Sequence, residues 1–350
     1  MGPSAKLISI ATAVPEHVLL QRDVAAAANE IFSGRYGDFN RLSPVFDTAG
    51  IHKRHAVRPL EWFFEAHGWP ERTAAYLEGA LKLFVDAARS ALQDAGLDAH
   101  DIDTIVTVSS TGIATPSLEA RAFGIMGFRD DVHRVPVFGL GCAGGVTGLA
   151  IAARLAQARP GTNVLFVAVE LCTLSFRLDE LTKANIVATA LFGDGAAACI
   201  LRTSEEGIAE IEASGEHTWP DTLDIMGWNV DPQGFGVIFA RAIPPFAEMH
   251  MGPAIAGILA RAGLTPSDVD RYICHPGGKK VIVALERALS LDQGSLDHER
   301  QVLSEYGNMS APTVLFVLAR AIATGLPRRS LLSALGPGFT ASCVSLKKAA

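Results

Sequence analysis

Residues 88–110 read ARSALQDAGLDAHDIDTIVTVSS, and residues 254–276 read AIAGILARAGLTPSDVDRYICHP. Each stretch predicts an amphipathic helix closed by a glycine, then a leucine, a short acidic turn and a β-branched run that predicts a strand. Ala95–Gly96–Leu97 falls on Ala262–Gly263–Leu264, and Asp101–Ile102–Asp103 on Asp268–Val269–Asp270, both at an offset of 167. Downstream, GCAGGVTGLAIAARLAQARPG from Gly141 lies against GNMSAPTVLFVLARAIATGLP from Gly307 at an offset of 166. A strand-like run follows each, Asn163 to Val169 and Ser330 to Leu335. A repeat this long is not a solenoid unit but two strand–helix halves. Alternating helices and β-branched strands imply mixed α/β layers with helices covering sheets. The expected division is residues 1–205 and residues 206–350. A pseudo-twofold axis between the halves would bring matching positions to a shared centre. The position that is Cys142 in the first half is Asn308 in the second.

The surrounding composition narrows the function. Of 350 residues, 49% are hydrophobic and 19% charged, enough for a large core and far from a disordered chain. No stretch approaches the ~20 apolar residues that span a bilayer. The N-terminus, Met1 to Pro15, carries one cation and only the short run Leu7–Ile10, so no secretory signal is expected and the protein is expected in the cytoplasm. A net charge of −7 disfavours nucleic acid and anionic membrane as partners. A polyanionic ligand would need a local basic patch. Two candidates are Lys279–Lys280 and the run His52–Lys53–Arg54–His55 with Arg41 and Arg58 nearby. The five cysteines include no CxxC pair, which argues against a disulfide framework or a zinc site. His52 and His55 have no third ligand, so no metal is expected.

Three residues stand apart from this background. Cys142 follows the strand-like run Val135 to Leu140 and opens a predicted helix reaching about Arg159. Glycines 139, 141, 144 and 145 allow a tight turn and close ligand approach. A thiol at a helix N-terminus meets free N–H groups and the positive end of the dipole, which favour thiolate. The alternative is a buried structural cysteine. His275 ends the run Asp270 to Cys274 before Pro276–Gly277–Gly278, where it can point into a crevice and pair with the thiolate. Asn308, between Gly307 and Met309, can donate to an oxyanion beside His275. Its alternative is an ordinary helix N-cap.

GLGCAGG, CHPGGKKV, LSEYGNMS, ALFGDGAAA and ALGPGFT appear in the order found in the chalcone and stilbene synthase superfamily. The run TGIATPSLEAR resembles its bacterial type III polyketide synthase branch. The resemblance covers about residue 5 to residue 346. It implies a thiolase-like five-layered αβαβα fold, a homodimer, and iterative decarboxylative condensation of malonyl-CoA on an acyl-CoA starter, with no cofactor beyond these thioesters. Cys142 would carry the chain, and His275 and Asn308 would hold the malonyl carbonyl. Phe192 falls on a gatekeeper phenylalanine, Ser175 and Ser310 on cavity-shaping positions, and Gly336–Pro337–Gly338 on a cavity-wall loop.

Departures from the plant pattern are informative. The second gatekeeper phenylalanine falls on Val237, and the methionine that reaches across the dimer falls on Thr115. Both changes remove bulk and suit a longer or wider starter. A cavity glycine falls on Trp228, which would shorten the space for chain growth. Of three basic coenzyme A contacts only Arg41 remains, the others being Pro44 and Thr48. Lys279 and Lys280 are expected to take over, with delivery by an acyl carrier protein as the alternative. The expected product is an alkylpyrone or alkylresorcinol grown on a long-chain fatty acyl starter. Two rivals remain at this level. One is a ketoacyl-ACP synthase III performing a single condensation, whose His and Asn segments usually read HQAN and GNTS in place of HPGG and GNMS. The other is a non-catalytic acyl-binding scaffold.

Overall fold

The computed structural model describes residues 4–349. Met1–Pro3, part of the stretch read above for a signal, and Ala350 lie outside the described residues.

The two repeated stretches fold by the same local hydrogen bonds. Helix α4 (Trp69–Ala95) stops because Gly96 turns left-handed at φ +64°, and Leu97 N–H returns to the Leu92 carbonyl at 3.0 Å. Helix α8 (Ile243–Arg261) stops likewise, with Gly263 at φ +71° and Leu264 N–H on the Leu259 carbonyl at 3.0 Å. After each turn an aspartate accepts from the backbone, Asp101 from Asp98 and Asp268 from Thr265, both at 2.8 Å. The strands β4 (Ile102–Val108) and β11 (Arg271–Cys274) follow. The next aspartate in each half, Asp103 or Asp270, then accepts the N–H that opens the neighbouring strand, from Asn163 at 2.8 Å or Arg329 at 2.7 Å.

Around these segments the chain forms β1 (Ala5–Ala13), β5 (His133–Val137), β6 (Asn163–Leu171) and β7 (Asp194–Thr203) in its first half. The second half adds β8 (Ala209–Thr218), β12 (Arg329–Gly336) and β13 (Thr340–Lys348). The order β11-β12-β13-β8-β1-β7-β6-β4-β5 makes one hydrogen-bonded sheet of nine strands. It is two half-sheets joined at a short seam, where Lys6 pairs with Glu210 and Leu7 with Ala209. Hairpins β2–β3 (His17–Leu20, Lys53–Ala56) and β9–β10 (Met226–Asp231, Gly234–Phe239) lie outside it.

Helices α6 (Gly144–Ala158) and α11 (Ala311–Thr324) fill the space between the half-sheets, and each touches strands of both. Their apolar side chains and those of the inner strand faces form one core of Val, Leu, Ala and Phe. Helices α4 and α5 (Leu118–Met126) cover the outside of the first half-sheet. Helices α8 and α9 (Lys279–Ala288) cover the outside of the second. This is the five-layered αβαβα arrangement. A fourth cluster joins α1 (Gln21–Phe32), the short helices α2 (Phe39–Leu42) and α3 (Pro44–Thr48), and α7 (Lys183–Leu191). Helix α10 (Asp297–Tyr306) leads into Asn308. No helix among the described residues is long and apolar enough to cross a membrane.

The central helices approach unusually closely. A Cβ on Gly145 would lie 2.2 Å from the Ala311 carbonyl oxygen, and one on Gly148 would lie 2.5 Å from the Phe166 ring. Substituting valine for Gly145 should lower the unfolding free energy by ~1–3 kcal/mol or more, because a backbone contact cannot step aside. By contrast Gly257 is exposed on α8 with nothing near its Cβ position. Gly257→Ala should raise stability by ~0.5–1 kcal/mol. Urea denaturation of the two variants beside the parent chain checks both signs.

Candidate active site

Strand β5 ends at Val137, three residues before the expected Leu140, because Gly139 turns the chain at φ +91°. Cys142 therefore sits in a 3₁₀ turn, Gly141–Ala143, directly before α6. The Ser110 hydroxyl holds this turn by accepting from Gly139 N–H at 3.1 Å and Gly141 N–H at 3.3 Å. Any side chain on Gly141 would strike the Pro337 ring, with its Cβ 2.6 Å from Cδ. Gly336 packs under the turn, its Cβ position 2.6 Å from the Leu140 carbonyl oxygen.

His275 leaves the end of β11, its N–H held by the Ser333 carbonyl at 2.8 Å, while Glu299 takes the preceding Cys274 N–H at 2.8 Å. The ring is buried, and neither nitrogen has a hydrogen-bond partner. Asn308 is not a helix cap. Ser310, at φ +55°, occupies that position on α11. The Asn308 carboxamide instead accepts from Ser310 N–H at 2.8 Å and donates one hydrogen to the Gly277 carbonyl at 3.2 Å, which leaves its second N–H free to serve a ligand. Its backbone bonds to the segment around Phe192: Asn308 N–H reaches the Leu191 carbonyl at 2.8 Å, and Gly193 N–H reaches the Asn308 carbonyl at 3.0 Å. Gly307 is required here, since its φ is +69° and a Cβ would come within 2.8 Å of the Leu191 oxygen.

Cys142, His275 and Asn308 line one narrow cavity of about 20 Å³, closed by apolar groups including Met226, Phe239 and Leu335. A second cavity of about 50 Å³ adjoins it, again with Cys142 and Asn308 in its wall, together with Phe192, Val237, Ser310 and Pro337. Trp228 closes this space. Its indole N–H donates to the Ser110 carbonyl at 2.8 Å, and its ring meets Phe192 edge-on with centroids 6.4 Å apart. A third cavity, also about 50 Å³, lies beyond Cys172 and Phe192, which line both it and the second. Ser175 belongs to this third cavity, its hydroxyl donating to the Cys172 carbonyl at 2.7 Å. Thr115, Gly336 and Gly338 line none of the three. Thr115 is exposed beside a cis bond to Pro116, and Gly338 turns the wall loop at φ +71°.

The expected electrostatics reverse. Burial pushes the Cys142 thiol up to about 12, aided by the buried Glu170 carboxyl and opposed by a hydrogen bond with Ser310. Burial draws His275 down to about 4. The helix N-terminus is present, but desolvation opposes it, and both shifts favour neutral thiol and neutral imidazole at rest. Glu170 itself rises to about 7 through burial, although Ser110 and Thr111 donate to it.

The basic groups also differ from expectation. Strand β3 turns Arg54 inward to 1% exposure, so the run His52–His55 is not a cationic surface. Arg41 is exposed. Burial, then the charges of Arg241, Lys280 and Arg41, lower the Lys183 pKa, so each of the three lies within reach of Lys183. Lys279 and Lys280 flank a groove with Thr48 and Arg287. Lys183 and Arg241 were invisible in the sequence, since each is an isolated cation there.

Two family models, those of the N-terminal and C-terminal domains of chalcone and stilbene synthases, match residues 2–204 and 210–349. The chain is 38% identical to a 1,3,6,8-tetrahydroxynaphthalene synthase of Streptomyces peucetius subsp. caesius, covering 97% of this chain and 92% of that protein. It is 36% identical to a Bacillus subtilis (strain 168) protein that bears the chalcone synthase name, covering 96% of each. The crystal structure of the 1,3,6,8-tetrahydroxynaphthalene synthase of Streptomyces coelicolor A3(2) superposes with a TM-score of 0.93 at 31% identity, covering 99% of each chain.

Neutral groups in the resting site have a measurable consequence. The acidic Cys142 is raised, so thiolate is scarce below its folded pKa and grows as pH rises toward about 12. Iodoacetamide alkylation of Cys142 in the free enzyme should therefore keep accelerating from pH 6 to pH 9. A rate that levels off near pH 6 would reveal a preformed ion pair.

Proposed function

Because the chain belongs to the chalcone and stilbene synthase family, and is a type III polyketide synthase that condenses malonyl-CoA iteratively, we propose that it extends an apolar, long-chain acyl starter. A few malonyl additions would be followed by release as an alkylpyrone or alkylresorcinol. The observation that carries this reading is the pair of apolar cavities that share Cys172 and Phe192 in their walls. On this reading a tail attached at Cys142 would displace the shared wall at Phe192 to reach the space beyond. Val237, where a bulkier gate would narrow the way, leaves room. The family match sets aside the single-condensation synthase and the scaffold.

The shared cavity of Cys142, His275 and Asn308 supports the following chemistry. Cys142 Sγ attacks the starter thioester, the carbonyl carbon–sulfur bond to coenzyme A breaks, and the thiol proton passes through His275 to the departing thiolate. The acyl group stays on Cys142. A neutral His275 N–H and the free Asn308 N–H then hold the malonyl thioester oxygen. As the carboxylate leaves as CO₂, its bonding electrons form an enolate on that oxygen, which two donors stabilise. The enolate carbon attacks the acyl-Cys142 carbonyl and frees the thiolate for the next round. A neutral imidazole suits this step, since it donates a hydrogen bond without protonating the carbanion.

The cluster Arg41, Lys183, Arg241 and Lys280 supports binding of a phosphate-rich thioester carrier, with Lys279 beside it. Coenzyme A is the carrier proposed, and an acyl carrier protein the alternative. Residues 1–205 supply the nucleophile and 206–350 the imidazole and carboxamide. A homodimer would place Thr115 of one copy against its neighbour.

A second reading has specific support. The identity to a tetrahydroxynaphthalene synthase, together with Trp228 closing the second cavity, fits malonyl-CoA acting as its own starter. One assay separates the two. Incubation with malonyl-CoA and C8–C16 acyl-CoAs should yield alkylated pyrones or resorcinols by mass spectrometry, and a malonyl-only product unaffected by acyl-CoA would reject the long-chain starter. Asn308→Ala should lower malonyl-CoA decarboxylation about 100- to 1000-fold, the cost of one oxyanion donor, measured as CO₂ release without starter.

A further inference from the structure

Arg54 is 1% exposed, and its two terminal nitrogens are buried without any hydrogen-bond partner. Its Cβ packs where Gly193 and Gly307 leave room behind the Phe192–Asn308 bridge, and its side chain reaches the wall of the third cavity. The one carboxylate that acts on it, Asp194, is otherwise engaged. Asp194 accepts from Val57 N–H at 2.9 Å, Thr173 N–H at 2.8 Å and the Thr173 hydroxyl at 2.6 Å, and makes no ion-pair contact with Arg54. The remaining hydroxyls of the cavity are committed too. Ser175 donates to the Cys172 carbonyl and Thr189 to the Asn185 carbonyl, each at 2.7 Å. Everything else in the wall is carbon or sulfur, Leu19, Val24, Ile31 and Phe63 among it.

A guanidinium presents paired N–H groups in a plane that matches the two oxygens of a carboxylate, and burial without such a partner is costly. We propose that Arg54 anchors a carboxylate site in the wall of this cavity, which takes a starter acyl group with an apolar body and a distal carboxylate. The proposal rests on the reading that the starter tail lies beyond Phe192. It narrows the starter from any long acyl chain to the monothioester of a dicarboxylic acid. Arg54 is charged at neutral pH, since burial lowers it only to about 10.

Carbon-matched pairs test this without malonyl-CoA: octanoyl-CoA against the coenzyme A monothioester of octanedioic acid, and the ten-carbon pair beside it. Acylation of Cys142 is followed by intact-protein mass spectrometry. In the wild-type chain the dicarboxylic member of each pair should half-saturate at a concentration at least ten-fold lower. Arg54→Met should reverse that order, and Arg54→Lys should keep a reduced preference. Equal or better acylation by the plain acyl-CoA in the wild type makes Arg54 only a charge partner for Asp194; the carboxylate site is then overturned and the long-chain reading stands. Failure of both members to acylate Cys142 overturns both. The wild-type comparison decides the matter alone if Arg54→Met does not fold.

Discussion

The contact between the N-terminal turns of α6 and α11 is the constraint from which the site follows. With no side chain on Gly145, the Ala311 backbone can lie against it, and the two helices start at nearly the same place between the half-sheets. Cys142 immediately precedes one helix and Asn308 the other, so the closeness of the helices becomes the closeness of a sulfur and a carboxamide. His275 joins them from the end of β11, which occupies in the second half the place of β4 in the first. Two copies of one local plan thus deliver different functional groups to a single point.

Burial decides how those groups behave. The helix N-terminus beside Cys142 favours negative charge, yet the surrounding Met, Phe and Leu side chains remove the water that would solvate it. The same apolar shell leaves His275 neutral. Neutral partners are compatible with the proposed reaction, because there the charge appears only when the thioester is bound. Glu170 behaves similarly: it receives hydrogen bonds from Ser110 and Thr111 and still rises to about 7.

Much of this was legible in the sequence and some was not, for identifiable reasons. Repeat periodicity and glycine stops depend on neighbouring residues, so the helix ends at Gly96 and Gly263 and the strands after them could be read directly. The sheet seam between Lys6–Leu7 and Ala209–Glu210 could not, because it joins residues some 200 apart with no pattern of their own. The convergence of Cys142, His275 and Asn308 on one cavity was readable from motif order. Their ionisation was not, since desolvation is a property of the assembled shell. The run His52–His55 misled for the same reason: four polar residues in a row suggest a wet surface, but a strand alternates its faces and buries Arg54. Cations brought together from distant segments, such as Lys183 and Arg241, have no local signature at all.

The paired backbone bonds between Phe192's segment and Asn308 tie the gate to the amide across the boundary between the halves. If Phe192 gates the starter and Asn308 holds the thioester oxygen, as proposed, a lineage that repositions the one also displaces the other. Change in this scaffold is therefore less constrained at a residue such as Val237, which shapes the chamber from the separate β9–β10 hairpin, than at Trp228, whose bond to the Ser110 carbonyl ties it to the residue that holds the Cys142 turn.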